Sequence, residues 1–328
     1  MKEFLIDKND SGQRVDRFTA KVVPSLPSSL LQKYIRLKRI KINGKGTKRD
    51  YRLCVGDIVQ MYINDEYFEA ADTSDAYLKI TDPELDIIYE DDNILLINKP
   101  AGVLCHSESD SDFNTLIAKV QAYMYRSGTW RPRDENSFAP ALCNRIDRNT
   151  SGIVIAAKNA EALRIINEKI KLQEIDKYYL AVVHGVPKPP EARLEGFIFK
   201  DSVKNRVYVT KTGRPGAKSA AMEYKTLKTT KHEAGELSLL ECRLITGRTH
   251  QIRAQLADTG YPILGDGKYG RGDLDKPFGE TKQALCSYKL VFSFKTDSGI
   301  LSYLTGQEFE LFPSLEGWHA VPGWSNTQ

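Results

Sequence analysis

Apolar residues near the start of the chain recur first at helical and then at strand spacing. Apolar positions three or four apart between Val15 and Val22 predict one helix, and a similar set between Leu31 and Ile35, just after Ser28, predicts a second. Alternating apolar residues at 40–42 and 57–63, separated by turn residues, predict short strands. The pattern therefore indicates a small unit of two helices followed by a small sheet.

Beyond an acidic, small-residue stretch at 65–75, most of the apolar runs are short and bounded by turn residues. Strands are predicted at 85–90, 93–98, 153–157, 178–183 and 237–244. Helices are predicted from Asn159 to Leu172 and from Thr249, as the capping residue, to Thr259. Because strands outnumber helices and mostly follow one another, we expect an α+β fold with a mixed, largely antiparallel sheet. We assign domains to 1–70 and 82–328, joined by a linker at 71–81.

Composition places the chain among ordinary globular proteins. Its 328 residues are 41% apolar and 27% charged, which is too apolar for a disordered chain, and the length favours two domains. No apolar run approaches the roughly 20 residues of a membrane helix, and the five cysteines are scattered without a C-x-x-C pair. We therefore expect a cytoplasmic protein that does not associate with membranes. The dispersed histidines and cysteines predict no metal site.

The positive charge is concentrated near the N-terminus. Residues 14–52 contain 12 Lys and Arg but only two acids, whereas the 258 residues after position 70 carry a net charge of −1. A solvated basic face is one interpretation, and RNA binding through the phosphate backbone is the one we favour. The candidate RNA-binding residues are Lys33, Arg36, Lys38, Arg39, Lys41 and Lys45. Residues 12–63, notably GQRVDRF, SSLLQKYIRLKRIKINGK and VGDIV, resemble the small S-four-type (alpha-L) RNA-binding domain.

Three further segments could carry chemistry. In the turn NRIDRNTSG, Asp147 lies between two arginines that favour its ionised form, although it could equally brace the turn. In TGRTHQIR, a predicted helix start places Arg248, His250 and Arg253 near exposed backbone N–H groups. Either His250 or Arg253 could instead be structural. Tyr179 lies in a predicted strand, where a core role competes with stacking on a base.

Together these segments resemble the RluA-type RNA pseudouridine synthases. The resemblance covers about residues 83 to 295 and rests on NKPAGVLCH, NRIDRNTSG, KYYLAVVHG and TGRTHQIRAQLADTGYPILGDGKYG, in that order. It implies a mixed α+β fold whose sheet forms the floor of an RNA cleft. It also implies isomerisation of uridine to pseudouridine without a cofactor or a metal.

The resemblance assigns a role to each matching residue. Asp147 corresponds to the catalytic aspartate that attacks the flipped uridine, and Arg253 to the basic residue that pairs with it and keeps it ionised. Tyr179 corresponds to the tyrosine that stacks on the base and is placed to assist proton removal at carbon 5. Leu285 corresponds to an apolar residue packed against the base, and phosphate binding falls to Arg145, Arg148 and Arg248. The sequence departs from the common pattern at Asn144 and at Cys286-Ser287, where His and His-Ala are usual. We expect these differences to adjust the substrate pocket without loss of the reaction.

The favoured hypothesis is therefore a pseudouridine synthase that acts on structured RNA. Large-subunit ribosomal RNA is the favoured substrate and transfer RNA the alternative, because the basic domain suits a bulky folded partner. A non-catalytic RNA-binding assembly factor and a uracil-releasing glycosylase are the competing hypotheses. The polar segment from Tyr123 to Pro140 is either an RNA-contacting insertion or a surface loop, and a monomer is the default expectation.

Overall fold

The two helices predicted near the N-terminus are present, and the sheet beside them has two strands more than the pattern indicated. The computed structural model describes residues 1–68, 75–109, 111–201, 203–278 and 282–311. The elements of residues 1–68, hereafter the N-terminal unit, are β1 (Lys2–Leu5), α1 (Val15–Val22), α2 (Ser28–Arg36), β2 (Ile40–Ile42), β3 (Lys45–Gly46) and β4 (Ile58–Met61). The unpredicted β1 pairs antiparallel with β4, and the sheet order is β1-β4-β2-β3.

The rest of the described chain is built around one large sheet. Its elements are β5 (Ile87–Glu90), β6 (Ile94–Lys99), α3 (Leu116–Arg126), β7 (Ala141–Leu142), β8 (Ser151–Ala157), α4 (Ala160–Lys171), β9 (Ile175–His184), β10 (Glu191–Asp201), β11 (Arg206–Thr210), β12 (Lys218–His232), β13 (Gly235–Leu244), α5 (Gln251–Asp258), α6 (Gly272–Asp275), β14 (Leu285–Phe292) and β15 (Glu308–Glu310). The main strand order is β11-β10-β12-β13-β9-β14-β8-β6-β5, with β15 on β14 and β7 on β8. All of these pairs are antiparallel except β14 with β8, which confirms the expected α+β fold with a mixed, largely antiparallel sheet.

Both faces of the middle of this sheet are buried. Along β6 and β8, Leu95 and Val154 pack into a core that includes residues of α3, whereas Leu96 and Ile155 pack into a second core that includes residues of α4. A strand covered on both faces has little need for polar positions, which explains the continuous apolar runs in this part of the sequence. The N-terminal unit has a separate core, which is formed by buried apolar residues from Ile6 to Ile63 of the sequence.

A polar contact joins the N-terminal unit to the large sheet. The buried Asp10 accepts hydrogen bonds from Asn136 Nδ2 at 2.7 Å and Ser137 Oγ at 2.6 Å. Asn9 accepts a hydrogen bond from the backbone N–H of Ala160, the first residue of α4, at 3.1 Å. Asn136 and Ser137, in the segment from 123 to 140, therefore form part of the surface that the N-terminal unit contacts.

Part of the predicted linker at 71–81 lies outside the described residues, which resume at 75. Tyr77 and Ile80 are buried within the core on the α3 side of the sheet. The ring of Trp130 lies 5.2 Å from that of Tyr77 and is also buried, so this residue of the 123–140 segment has a core role. The domain boundaries remain a prediction, and residues 312–328 of the predicted second domain lie outside the described residues.

Candidate active site

Asp147 lies on the turn that leads into β8. Its backbone carbonyl accepts a hydrogen bond from the Thr150 N–H at 3.1 Å, its neighbour Ile146 is buried, and its own side chain is 25% exposed. Gly152, the second residue of β8, has a φ of +110°, and a Cβ atom there would lie 2.2 Å from the Ser287 carbonyl oxygen. Only glycine lets β8 approach β14 this closely, so the turn that presents Asp147 is held against the sheet.

Arg253 connects Asp147 to a second carboxylate. From the third residue of α5, its Nη1 donates to Asp147 Oδ2 at 2.8 Å, while Nε and Nη2 donate to the two oxygens of Asp266 at 2.7 and 2.8 Å. Burial lowers the pKa of Arg253, but the hydrogen bonds and charges of Asp266 and Asp147 outweigh that effect and raise it. The guanidinium is therefore a fixed positive charge directed at Asp147.

His250 begins α5 in a way that the sequence pattern did not predict. The helix is Gln251–Asp258, and the capping position belongs to His250, with a left-handed φ of 52°, so the prediction of Thr249 as the cap was wrong. The reason is a long-range contact, since His250 Nδ1 lies 2.9 Å from the hydroxyl of Tyr269. That hydroxyl accepts from the Val207 N–H at 2.9 Å, so its own proton is available for Nδ1.

The environment of His250 favours a neutral ring. Burial, opposed by Asp147 and reinforced by Arg253, lowers the pKa of His250. With Nδ1 accepting from Tyr269, the ring proton lies on Nε2, which is 3.8 Å from Asp147 Oδ2. His250 is thus close to the catalytic candidate without being its ion-pair partner.

Tyr179 and Leu285 lie beside each other in the sheet. Tyr179 on β9 pairs with Ser287 on β14, and Leu285 pairs with Ala181, two residues further along β9. Both Tyr179 and Leu285 are buried. Burial raises the pKa of Tyr179, and a hydrogen bond with Ser287 opposes the rise only partly, so the phenol is protonated near neutral pH.

Lys99 is a neighbour of Asp147 that sequence reasoning did not assign. Its Nζ is buried and donates to the carbonyls of Pro100, Val103 and Arg148 at 2.9, 2.8 and 3.0 Å. Burial lowers the pKa of Lys99 to about 8, against the opposing charge of Asp147. The NKPAG turn was the available signal, but only the folded chain brings it to the Asp147 turn.

The predicted phosphate-binding arginines lie around this centre. Arg145 and Arg148 are exposed on the Asp147 turn, and Arg148 Nε donates to the Gly102 carbonyl at 3.1 Å. Arg248 Nε donates to the Ser219 carbonyl at 2.8 Å, just before α5. Asn144, where His is usual, has a structural contact, because its Oδ1 accepts from the Ile155 N–H at 2.8 Å.

The predicted RNA-binding residues form a positively charged surface on the N-terminal unit. Five of the six are exposed and Lys41 is half-buried. Arg39 stacks on Tyr34 at 5.2 Å and Lys41 on Tyr62 at 5.0 Å, measured to the ring centroids. Within the described residues none of the six forms a salt bridge, so their charge is available to a polyanion.

The described residues contain neither a candidate metal site nor a candidate membrane-spanning helix. No group of three or more His, Cys, Asp and Glu residues within 1–68, 75–109, 111–201, 203–278 and 282–311 could hold a metal ion. Over the same ranges, none of the helices combines the length and apolar character that crossing a membrane requires.

Comparisons with known proteins identify the family of the chain. The model of the RNA pseudouridylate synthase family matches residues 93–258, about half of the chain, including the Asp147 turn and α5. The chain is 30% identical over 288 residues to ribosomal large subunit pseudouridine synthase C of Haemophilus influenzae, covering 85% of this chain and 82% of that protein. It is 32% identical over 277 residues to the protein of the same name from Vibrio parahaemolyticus, covering 84% and 82%.

A solved structure shows the same fold. The structure of human RNA pseudouridylate synthase domain containing 4 superposes with a TM-score of 0.54 at 21% identity, covering 71% of this chain and 90% of that one. The matched family and the sequence relatives agree, and the chain belongs to the RNA pseudouridine synthase family of enzymes.

Proposed function

We propose that this RNA pseudouridine synthase isomerises specific uridines of large-subunit ribosomal RNA, with Asp147 as its nucleophile. The substrate proposal is supported by the two relatives named for the ribosomal large subunit, which this chain matches over more than four fifths of its length. The positive surface of the N-terminal unit suits a large folded RNA.

One observation supports the role of Asp147 as nucleophile: Arg253 binds only one of the two carboxylate oxygens of Asp147. Nη1 of Arg253 donates to Oδ2, and no hydrogen bond within the described residues reaches Oδ1. The guanidinium holds the carboxylate in place through Oδ2, and the unoccupied oxygen can attack a uridine brought into the cleft. Attack at the anomeric carbon or on the base lets the base detach, rotate and rejoin through carbon 5, and the proton of carbon 5 is lost to solvent while N1 gains one.

The surrounding residues suit a flipped nucleotide. A target uridine inside folded RNA has to leave its stack, which costs a few kcal/mol. We assign Tyr179 and Leu285 to contact with the extruded base, with Tyr179 acting as a neutral phenol. Arg145, Arg148 and Arg248 are positioned to bind the flanking phosphates, whose contacts offset the cost of extrusion.

The N-terminal unit is proposed as an S-four-type RNA-binding domain held in a fixed position. Lys33, Arg36 and Lys45, three of its exposed cations, form no salt bridge within the described residues. The contact of Asp10 with Asn136 and Ser137 joins it to the catalytic part. Replacing Lys33, Arg36 and Lys45 by Gln is expected to weaken RNA binding and reduce its salt dependence, with the catalytic rate on bound RNA unchanged.

The test is a tritium-release assay on a transcript of large-subunit ribosomal RNA labelled at carbon 5 of uridine. Isomerisation replaces the C5–H bond, so the wild type should release tritium and Asp147→Asn should release none above background, with an RNA affinity close to that of the wild type. Asp92→Asn, an exposed carboxylate, is the matched control and should be fully active. Full turnover by Asp147→Asn would refute the assignment of Asp147 as the nucleophile. Release of free uracil would indicate a glycosylase.

A further inference from the structure

A second positively charged surface lies on the catalytic part of the chain, at the β10–β11 hairpin and the loop that follows it. Residues 200–218 contain six basic side chains and one acidic side chain. The six basic side chains, hereafter the hairpin surface, are all exposed: Lys200, Lys204, Arg206, Lys211, Arg214 and Lys218. The net charge of the chain after position 70 conceals this cluster because acids elsewhere cancel it.

These cations have no acidic partners of their own. None of the six forms a salt bridge within the part of the chain that the structure describes. The single acid of the segment, Asp201, is occupied by the turn, where its Oδ1 accepts from the backbone N–H groups of Val203 and Lys204, both at 3.0 Å. An exposed set of uncompensated cations is suited to a polyanion.

Aromatic rings accompany the cations. Phe199 and Tyr208 are directly paired across β10 and β11 and therefore lie on one face, where Tyr208 is 39% exposed. The guanidinium of Arg214 lies 3.8 Å from the centroid of the Phe199 ring. Cations interleaved with rings suit RNA, because phosphates pair with the former and unstacked bases with the latter.

The hairpin is fixed to the wall of the catalytic site through Tyr269. The Tyr269 ring lies 5.1 Å from the guanidinium of Arg206 on the hairpin and 5.2 Å from that of Arg253. Its hydroxyl accepts from the Val207 N–H of β11, at 2.9 Å. Lys268 Nζ donates to the carbonyl of Asn205 at 2.8 Å. The hairpin surface is thus anchored beside the residue that pairs with Asp147.

We propose that the hairpin surface binds the phosphate backbone of the RNA next to the target uridine, as a second contact besides that of the N-terminal unit. This proposal rests on the proposed function, since it requires RNA in the Asp147 cleft. Two separate contacts would hold the RNA on both sides of the extruded nucleotide, which is where its flipping needs support. An acidic protein would satisfy the charges but gives no role to the aromatic face.

The experiment compares two triple variants of the full-length protein. The hairpin variant is Lys204→Gln/Lys211→Gln/Lys218→Gln, and the control is Lys79→Gln/Lys171→Gln/Lys295→Gln, three exposed lysines elsewhere with the same change in net charge. Affinity for a large-subunit ribosomal RNA transcript is measured from about 50 to about 200 mM salt. Thermal unfolding checks that both variants fold.

The hairpin variant is expected to bind about tenfold more weakly at low salt, and its log–log salt slope should be smaller by about 2. The control should match the wild type in affinity, in salt slope and in single-turnover tritium release. Equal affinity and slope for the two variants would overturn the proposal. Weaker binding by the hairpin variant alone would support it even if the transcript is not modified, in which case only the proposed substrate would fail.

Discussion

Arg253 Nη1 donates to Oδ2 of Asp147 at 2.8 Å, across 106 positions of the chain. The two residues come from the turn before β8 and from α5, which meet only in the folded protein. Because Asp266 holds the opposite edge of the guanidinium with both oxygens, Arg253 has little freedom to turn away. The Asp147 carboxylate is therefore oriented through Arg253 by a residue that does not touch it.

This arrangement makes Asp266 a positioning residue. Asp266→Asn keeps the size of the side chain but removes the charge that binds Arg253, so we expect kcat to fall by about 10- to 100-fold, equivalent to about 1.4–2.8 kcal/mol, with little change in KM. Breaking the buried pair should also lower the free energy of unfolding by about 3 kcal/mol. Steady-state kinetics and denaturant unfolding measure the two effects.

The matched control for Asp266 is Asp273→Asn, which removes an exposed carboxylate paired with Arg271 on the surface. It should leave both measurements close to those of the wild type. If kcat of Asp266→Asn were unchanged while KM rose, the contact of Asp266 with Arg253 would serve RNA binding, and Asp266 would not be a positioning residue.

Deprotonation of Lys99 is expected to lower the activity at alkaline pH. An ammonium has three protons for the carbonyls of Pro100, Val103 and Arg148, whereas a neutral amine has two. Burial lowers the pKa of Lys99 to about 8, so the side chain is charged below that pH and neutral above it. As the pH rises through about 8, the Arg148 carbonyl, next to Asp147, is held less firmly, and the single-turnover rate should fall.

Two variants test the origin of that decline. Lys99→Met lacks the titrating group and should be slower at every pH without a decline near pH 8. Lys99→Arg stays charged over the whole range and should also lack it. A decline of unchanged midpoint in Lys99→Met would show that another group is responsible.

Asp10 is expected to secure the N-terminal unit. Asp10→Ala removes the acceptor of the Ser137 hydroxyl and one of the two acceptors of Asn136 Nδ2, which keeps its bond to the Leu5 carbonyl. Both donors are half-buried, and polar groups left unpaired away from water cost about 1–3 kcal/mol. We predict a loss of stability of that size in denaturant unfolding, together with faster hydrogen exchange in residues 1–68. Asp50→Ala, at an exposed position of the same unit, should change stability by less than about 0.5 kcal/mol. Equal effects of the two substitutions would argue against the contact.

Local signals predicted α1, α2, α4 and α5 and most of the central strands, but they missed α3 and the strands β10, β12 and β14. Asn159 accepts from the Ala162 N–H at 2.8 Å and caps α4, as its residue type and the apolar stripe after it indicated. Apolar runs also located β8, β9 and β13, because strands buried on both faces need no polar positions. The strand β1 was missed because most of its four residues are exposed and the pairing that forms it comes from β4.

Long-range contacts set the features that sequence patterns did not predict. His250 adopts a left-handed conformation at the start of α5 in contact with Tyr269, nineteen positions away. The roles of Lys99 and Asp266 depend on turns that meet only in three dimensions. The hairpin surface was hidden because the net charge was summed over all residues after position 70, where acids elsewhere cancel it.

The most direct test of the central claim is pseudouridine mapping by carbodiimide primer extension on large-subunit ribosomal RNA. The RNA would come from a strain that lacks this protein and carries either the wild type or Asp147→Asn. If Asp147 is the nucleophile, specific stops will be absent from the deletion strain, will return with the wild type and will not return with Asp147→Asn. Stops restored equally by Asp147→Asn would contradict the assignment of Asp147 as nucleophile, and a pattern unchanged by the deletion would contradict the proposed substrate.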